Sequence, residues 1–404
     1  MMRSLYSGVS GLKNHQTRMD VVGNNISNVN TTGFKSSRVT FSDTLSQTLS
    51  GASAPTDNGG GTNPKQIGLG SATSSIDTLF TDGSVQSTGV NTDLCLSGNG
   101  LFVVKDGNNA YYTRNGNFKF DAEGNYVNSD GLMVQGWMGT DGVINSGGDT
   151  SGIKIPAGKT MAAKASGKMI ISGNLNADAA VNDTSNIIST SYDSQGAAQQ
   201  ITLTLTKVAA NEWSITVGTP AKGTIPNLKF DAGGGYASGG TGTVTLDPQA
   251  PSGAAAINLD INASGLFSLT QYSGSNTAYS TTDGYAAGTL KSVSIDSKGI
   301  ITGTYTNGVN RQEAQVAVAQ FNNAAGLTKT GNSLYSLSNN SGEANIKTAG
   351  DLGCTITPSS LEMSNVDMAS ELTDMIVTQR GYQSNSKIIT VSDELLETLI
   401  NMKR

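Results

Sequence analysis

Residues 367–402 read DMASELTDMIVTQRGYQSNSKIITVSDELLETLINM, a stretch without proline and with one glycine, Gly381. Met368, Met375, Tyr382, Ile389 and Leu396 recur every seven residues, and Leu372, Gln379, Ser386, Asp393 and Ile400 interleave four residues later. One column is apolar throughout and the other is mixed, which predicts one long helix with an imperfect seam. Asp367 and Glu371 near its start and Lys403 and Arg404 at its end suit the helix dipole. At 1.5 Å per residue such a helix runs about 50 Å. The N-terminus mirrors it. From Ser4 to Asn28 the apolar residues Leu5, Val9, Leu12, Met19, Val22 and Ile26 fall on one helical stripe, interrupted by Gln16 and Gly23. The helix is expected to stop near Gly23–Asn28, because Asn and Gly tolerate positive φ and Asn side chains compete for backbone hydrogen bonds. The turn-rich residues 29–35 then lead into extended chain.

Between the ends the apolar period switches to two. Asp93–Ser97, Leu101–Val104, Ala110–Arg114, Asn117–Phe120, Gln200–Thr206, Glu212–Val217 and Gln315–Phe321 read as short strands. Asp-x-x-Gly recurs at Asp121–Gly124, Asp193–Gly196, Asp231–Gly234 and Asp296–Gly299. That spacing suits a type I turn closed by a left-handed Gly. A calcium loop needs several carboxylates and a later Glu, which these lack, so hairpin turns are preferred.

Composition narrows the function classes. Glycine is 50 of 404 residues, against a usual ~7%, and charged residues are 14%, against a usual ~25%. Such chains are strand-and-turn or repetitive surface proteins more often than α/β enzymes. The net charge of −6 with no basic stripe argues against a nucleic-acid partner. One histidine and two cysteines cannot supply a structural metal site, so no metal is expected. No apolar run approaches the ~20 residues of a membrane span, and no cleaved signal peptide is expected. Gly68-Leu69-Gly70 and Gly59-Gly60-Gly61 lack the strand-turn-helix context of phosphate loops. No catalytic residue and no cofactor is therefore expected, and the chain is read as a non-enzyme. Cys95, between Leu94 and Leu96, reads as a small buried residue in preference to a disulfide partner of Cys354. His15 reads as a solvated or interface side chain.

Gly51–Gly61 is a Gly-rich linker or excursion, and the Ala/Thr/Ser/Gly-rich stretch from Ile155–Pro156 to Asp283-Gly284-Tyr285 reads as an inserted β domain. The expected fold is mainly β with α-helical termini. It has a terminal-helix coiled-coil domain (1–34 and 361–404), a split β domain (35–154 and 285–360) and an inserted β domain (155–284). The apolar stripes of the helices can pair with each other, with other copies, or with both. An open helical polymer needs a heterologous interface of that kind.

Ser10-Gly11-Leu12 and the run Met19–Lys35, with Asn24, Asn25, Asn28, Thr31, Gly33 and Phe34, resemble the N-terminal signature of bacterial flagellar axial proteins of the rod and hook. The stretch Ser364–Asp393, with Asn365, Val366, Gln379, Arg380 and Asn385, resembles their C-terminal signature. About 130 residues separate Ile155 from Gly284. That length, together with Asp283-Gly284-Tyr285, Gly299–Gly303 and Gln320-Phe321, resembles the hook branch. The resemblance implies a structural subunit of a hollow, curved, flexible tube that acts as a universal joint. The terminal helices would line it, the split domain would form its wall and the inserted domain would lie outside. Interface residues would be Leu5, Val9, Leu12, Met19, Val22, Ile26, Met368, Leu372, Met375, Tyr382, Ile389, Leu396 and Ile400. Implied partners are further copies of the chain, rod, hook-cap and hook-filament junction proteins and the type III export apparatus, at an extracellular location. The Gly-rich stretch after the first helix resembles an extension of distal rod proteins, which keeps a rod subunit as an alternative. A β-rich surface adhesin is the other, although it leaves the paired terminal helices unexplained. Spirochaete members of the family can be cross-linked through a Cys before an Asn-Leu pair. Here Gly173 precedes Asn174-Leu175, so that chemistry is not carried over.

Overall fold

Both terminal helices form, and the chain between them is built of strands and turns. The computed structural model describes residues 2–55, 60–218, 221–247 and 255–402. Helix α1 spans Met2–Ser27 and helix α2 spans Met368–Met402. Lys403 and Arg404 lie outside the described residues. Helix α1 ends in the Asn-rich turn, where the Asn28 amide bonds the carbonyls of Asn24 and Asn25. The chain then enters a long hairpin of β1 (Ser37–Asp43), β2 (Ser46–Ser50), β3 (Lys65–Gly68) and β4 (Ser71–Thr78). β1 pairs antiparallel with β4 and β2 with β3, and Ser53 bridges Thr62 near the tip. The Gly-rich excursion is thus the end of a two-stranded arm, with residues 56–59 outside the described residues.

By its internal contacts the chain divides into two units, 1–156 with 294–302 and 312–404, and 157–293 with 303–311. One cut follows Pro156, between strands, and the other three fall inside the strands Gly288–Ile295, Ile300–Tyr305 and Asn310–Val316. The second unit therefore takes in 285–293 and 303–311 as well as most of the stretch read as an inserted domain.

In the first unit Leu101–Asp106 is central. It pairs with Asn109–Thr113 on one side and with Met133–Thr140 and Val318–Gln320 on the other. Leu101 to Val104 are all buried, so the strand is covered on both faces. Leu101, Val103, Tyr112, Phe321 and Tyr335 form one cluster, in which Tyr112 meets Phe321 edge-on at 4.8 Å. On the other side Phe102 meets Phe118 edge-on at 5.2 Å. Leu94–Ser97 pairs with Thr355–Pro358, which seats Cys95 and Cys354 as free, buried thiols.

The second unit carries a five-stranded sheet from Thr184–Tyr192 to Tyr236–Ser238 and two three-stranded sheets. Its core is Ile201, Leu203, Leu205, Trp213, Val244, Leu259 and their neighbours. The strand Ala198–Ala209 alternates buried and part-exposed residues over most of its length, as its period of two requires.

The Asp-x-x-Gly motifs that begin at Asp121, Asp193, Asp231 and Asp296 are hairpin turns. Gly124, Gly196, Gly234 and Gly299 have φ between 74° and 87°, and each amide bonds the Asp carbonyl at 3.0–3.1 Å. In each, one carboxylate oxygen of the Asp accepts the amides two and four residues on, at 2.8–2.9 Å. The carboxylate closes its own turn, which is the physical reason this spacing recurs.

Each unit holds one of the two tryptophans, Trp137 in the first and Trp213 in the second. Fluorescence unfolding curves of the Trp213→Phe and Trp137→Phe proteins should therefore report the two units separately. Leu203→Ala, which empties a fully buried site, should lower the stability read by Trp213 by roughly 2–5 kcal/mol. The curve read by Trp137 should stay within error of its parent.

Candidate assembly site: the terminal helices and their junction with the body

Helices α1 and α2 pair antiparallel within one chain. Gly8 lies against Ile389, Gly11 against Asn385, His15 against Gly381, Arg18 against Asp374 and Asn25 against Glu371. The column of α2 that faces α1 is Glu371, Thr378, Asn385 and Ser392, spaced by seven and mostly polar. Thr378 and Ser392 are buried and turn their hydroxyls back to the carbonyls of Asp374 and Ile388. The approach is close because glycines face it. A Cβ on Gly11 would come within 2.7 Å of the Asn385 amide nitrogen, and one on Gly381 within 2.5 Å of the His15 ring. His15 is thus an interface side chain inside the subunit.

This geometry separates the residues read from the apolar periodicity. Met375, Ile389 and Leu396 are half-buried beside the polar column, whereas Met368, Leu372, Tyr382 and Ile400 are exposed. Ile376, Val377 and Val391 lie on the outward side, 45–59% exposed, whereas Ile388, 44% exposed, lies against Gly8, and Leu395 and Leu399 continue the α1-facing columns of Ile388 and Ser392. On α1, Val22 is buried, Leu5, Leu12, Met19 and Ile26 are half-buried and Val9 is exposed. The flank of α1 beside the helix contact rests on the arm, where the Asn14 amide donates to Ser71 Oγ at 2.7 Å.

The signature residues divide in the same way. Gln379 and Arg380 are exposed and Val366 is half-buried. Asn25 is buried and makes three bonds: its Oδ1 accepts from the Ser37 amide at 3.0 Å, and its Nδ2 donates to the Ser37 carbonyl at 2.8 Å and to Glu371 Oε1 at 2.9 Å. One side chain thereby joins α1, β1 and α2. Burial pushes the Glu371 carboxyl up from its ordinary value, and the Asn25 bond opposes this. Asn28 accepts from the Thr31 hydroxyl and donates to the exposed Asn24's carbonyl, holding the turn. Gly33 has φ of 67°, and a Cβ there would lie 2.5 Å from the Asn115 amide nitrogen, so no other residue fits. Phe34 lies under the Lys329 ammonium, 5.0 Å from its ring centre. Asn365 Oδ1 accepts from the Ser36 amide at 2.8 Å while its Nδ2 donates to the Leu79 carbonyl at 2.9 Å.

Beneath these bonds lies a buried charge cluster that the sequence reading passed over. Lys35, Arg114 and Glu362 are each at most 1% exposed. Lys35 Nζ lies 2.5 Å from Glu362 Oε1 and 2.7 Å from the Thr81 carbonyl. Arg114 Nη1 lies 3.3 Å from both Glu362 Oε2 and Asp82 Oδ1, and its fork also donates to the Leu96 and Gly98 carbonyls. The Gly83 amide donates to Glu362 Oε1 at 2.8 Å. Burial pulls the Lys35 ammonium below its ordinary value, opposed by Glu362. Lys35 stood in the quoted signature, but nothing local marks Arg114 or Glu362 as its partners 79 and 327 residues away.

Four family models cover most of this architecture. The one described as flagella basal body rod protein matches residues 5–35, the flagellar hook protein FlgE/F/G D1 domain 95–174, the flagellar basal body protein FlaE D2 domain 164–285 and the flagellar basal body rod FlgEFG protein C-terminal 357–402. The chain is 42% identical to the flagellar hook protein FlgE of Borreliella burgdorferi, over the full length of both. It belongs to the flagellar hook protein family. Identity to the hook protein FlgE of Treponema pallidum is 40%, again across both chains, and to the basal-body rod protein FlgG of Bacillus subtilis 35% across both. In this hook family member the matched end segments, 5–35 and 357–402, are the segments joined at the buried cluster. Among the described residues no helix is long and apolar enough to cross a membrane.

Asn25→Ala should lower the stability of the first unit by roughly 1–3 kcal/mol, the cost of leaving the half-buried Ser37 backbone groups without their partner. The check is the denaturant midpoint followed by Trp137 fluorescence, with the slope unchanged.

Proposed function

We propose that the chain serves as the structural subunit of the flagellar hook through the outward face of α2, which meets other copies of the chain and so builds the tube. The observation that carries this is the division of α2 into two faces. Mostly polar and small residues, with Ile388 and Ile389, meet α1, while Leu372, Ile376, Val377, Val391 and Ile400 are left outward. Full burial of each such side chain contributes roughly 1.5–3 kcal/mol. A stripe of that kind on a helix already paired on its other side is a contact surface in search of a second copy. The interface residues read from periodicity then take two roles. Ile389, Met375 and Leu396 support the pair inside the subunit, and Leu372, Tyr382 and Ile400 join the outward contact.

On this reading the terminal helices line a hollow tube, the split β domain of 35–154 and 285–360 makes its wall and the inserted domain of 155–284 lies outside. The tube works as a universal joint that passes torque from rod to filament. Rod, cap and junction proteins are its neighbours at the two ends. Delivery is by the type III export apparatus to an extracellular position, and the chain carries no catalytic role. A rod subunit is the second reading, favoured by the full-length similarity to a FlgG protein. Curved tubes in electron micrographs of purified assemblies support the hook; straight ones support the rod.

The two faces can be separated by mutation. Ile376→Asp should leave the helical signal and unfolding of the isolated subunit unchanged, because that side chain is 59% exposed and lies off the columns that meet α1. The same change should abolish tubes and motility, because a charge buried without a partner costs several kcal/mol in every subunit. Ile389→Asp should instead lower the helical signal of the subunit itself. Normal tubes from the Ile376→Asp protein would show that the outward side is not the contact.

A further inference from the structure

The cluster at Lys35, Arg114, Glu362 and Asp82 draws its charges from three separate parts of the chain. Lys35 follows α1, Glu362 precedes α2, and Arg114 and Asp82 belong to the body between them. With all four in place the formal charges cancel. Without the N-terminal segment the site holds Arg114 against two carboxylates, a net −1. Without the C-terminal segment it holds two cations against Asp82, a net +1. Lys35, Arg114 and Glu362 are at most 1% exposed and Asp82 alone, 46% exposed, meets water, so an imbalance among the other three is poorly screened. The backbone repeats the dependence: the Gly33 amide bonds the Glu362 carbonyl at 2.8 Å, and the Ser36 amide bonds Asn365 Oδ1 at 2.8 Å.

We propose that this cluster is a latch that couples the two ends of the chain, so that the segments carrying α1 and α2 dock onto the body together or not at all. Each segment supplies the counter-charge that makes the other's burial tolerable. The coupling acts at the body and is separate from the contact between the helices themselves. It goes beyond the polymer reading and holds for the isolated subunit.

Amide hydrogen exchange on the full-length protein tests it. Lys35→Met should speed exchange in 360–366, on the opposite chain end, by about 100-fold, and Glu362→Leu should do the same to 33–36. Exchange in the central strand Leu101–Asp106 should not change. Arg18→Ala, which removes the ion pair to Asp374 between the helices, should leave 360–366 protected. The double variant Lys35→Met/Glu362→Leu restores a neutral site, with Arg114 facing Asp82. It should be protected at least tenfold better than either single variant. If the single effects simply add in the double variant, or if Lys35→Met loosens only residues before 37, the latch is wrong.

Discussion

One carboxylate, that of Glu362, sets the terms on which both ends of the chain meet the body. Its oxygens accept from a lysine of the N-terminal segment, an arginine of the body and a backbone amide of the loop beside them. A buried ion pair of this kind is poor evidence of net stability, because desolvation offsets most of the attraction. What it supplies is position. The bonds around it run in both directions between residues 33–36, 79–84 and 360–365. Helices α1 and α2 therefore leave the body at fixed points and meet at a fixed depth. The contacts further along, at Asn25, Arg18, His15 and Gly11, follow from that start.

The helix pair itself contributes little hydrophobic burial. Its facing column is Glu371, Thr378, Asn385 and Ser392, against glycines, His15 and Asn25. This is the reverse of an ordinary two-helix hairpin, in which the apolar stripe turns inward. Here Leu372, Ile376, Val377, Val391 and Ile400 of α2 stay outside, where a monomer has no use for them. That inversion is what ties the architecture to assembly.

Much of this was legible in the chain and some was not. The helices, the strands around Leu101–Val104 and Gln200–Val217, and the four Asp-x-x-Gly turns follow from local chemistry. Periodicity and turn geometry are written within a few residues of one another. The facing column of α2 was missed because periodicity was sought among apolar residues, and Glu371, Thr378, Asn385 and Ser392 repeat with the same spacing one position earlier than the mixed column. The long arm was missed because its strands are polar and mostly exposed on both faces, which leaves no alternation to read. The charge cluster was missed for a different reason. Arg114 and Glu362 acquire their meaning only from a fold that brings them together, and no spacing along the chain encodes that.

The glycines of the helix pair have a mechanical consequence. Hydrophobic seams slide at modest cost, since one apolar side chain replaces another with similar energy. In this pair His15 sits in the notch left by Gly381, and Asn385 in that left by Gly11. A slip of one turn would drive His15 onto a position that carries a side chain, since Gly381 is the one glycine of α2. The helices are thus keyed to one another like a shaft in a slotted collar, and shear along their axis meets hard repulsion before it loses attraction.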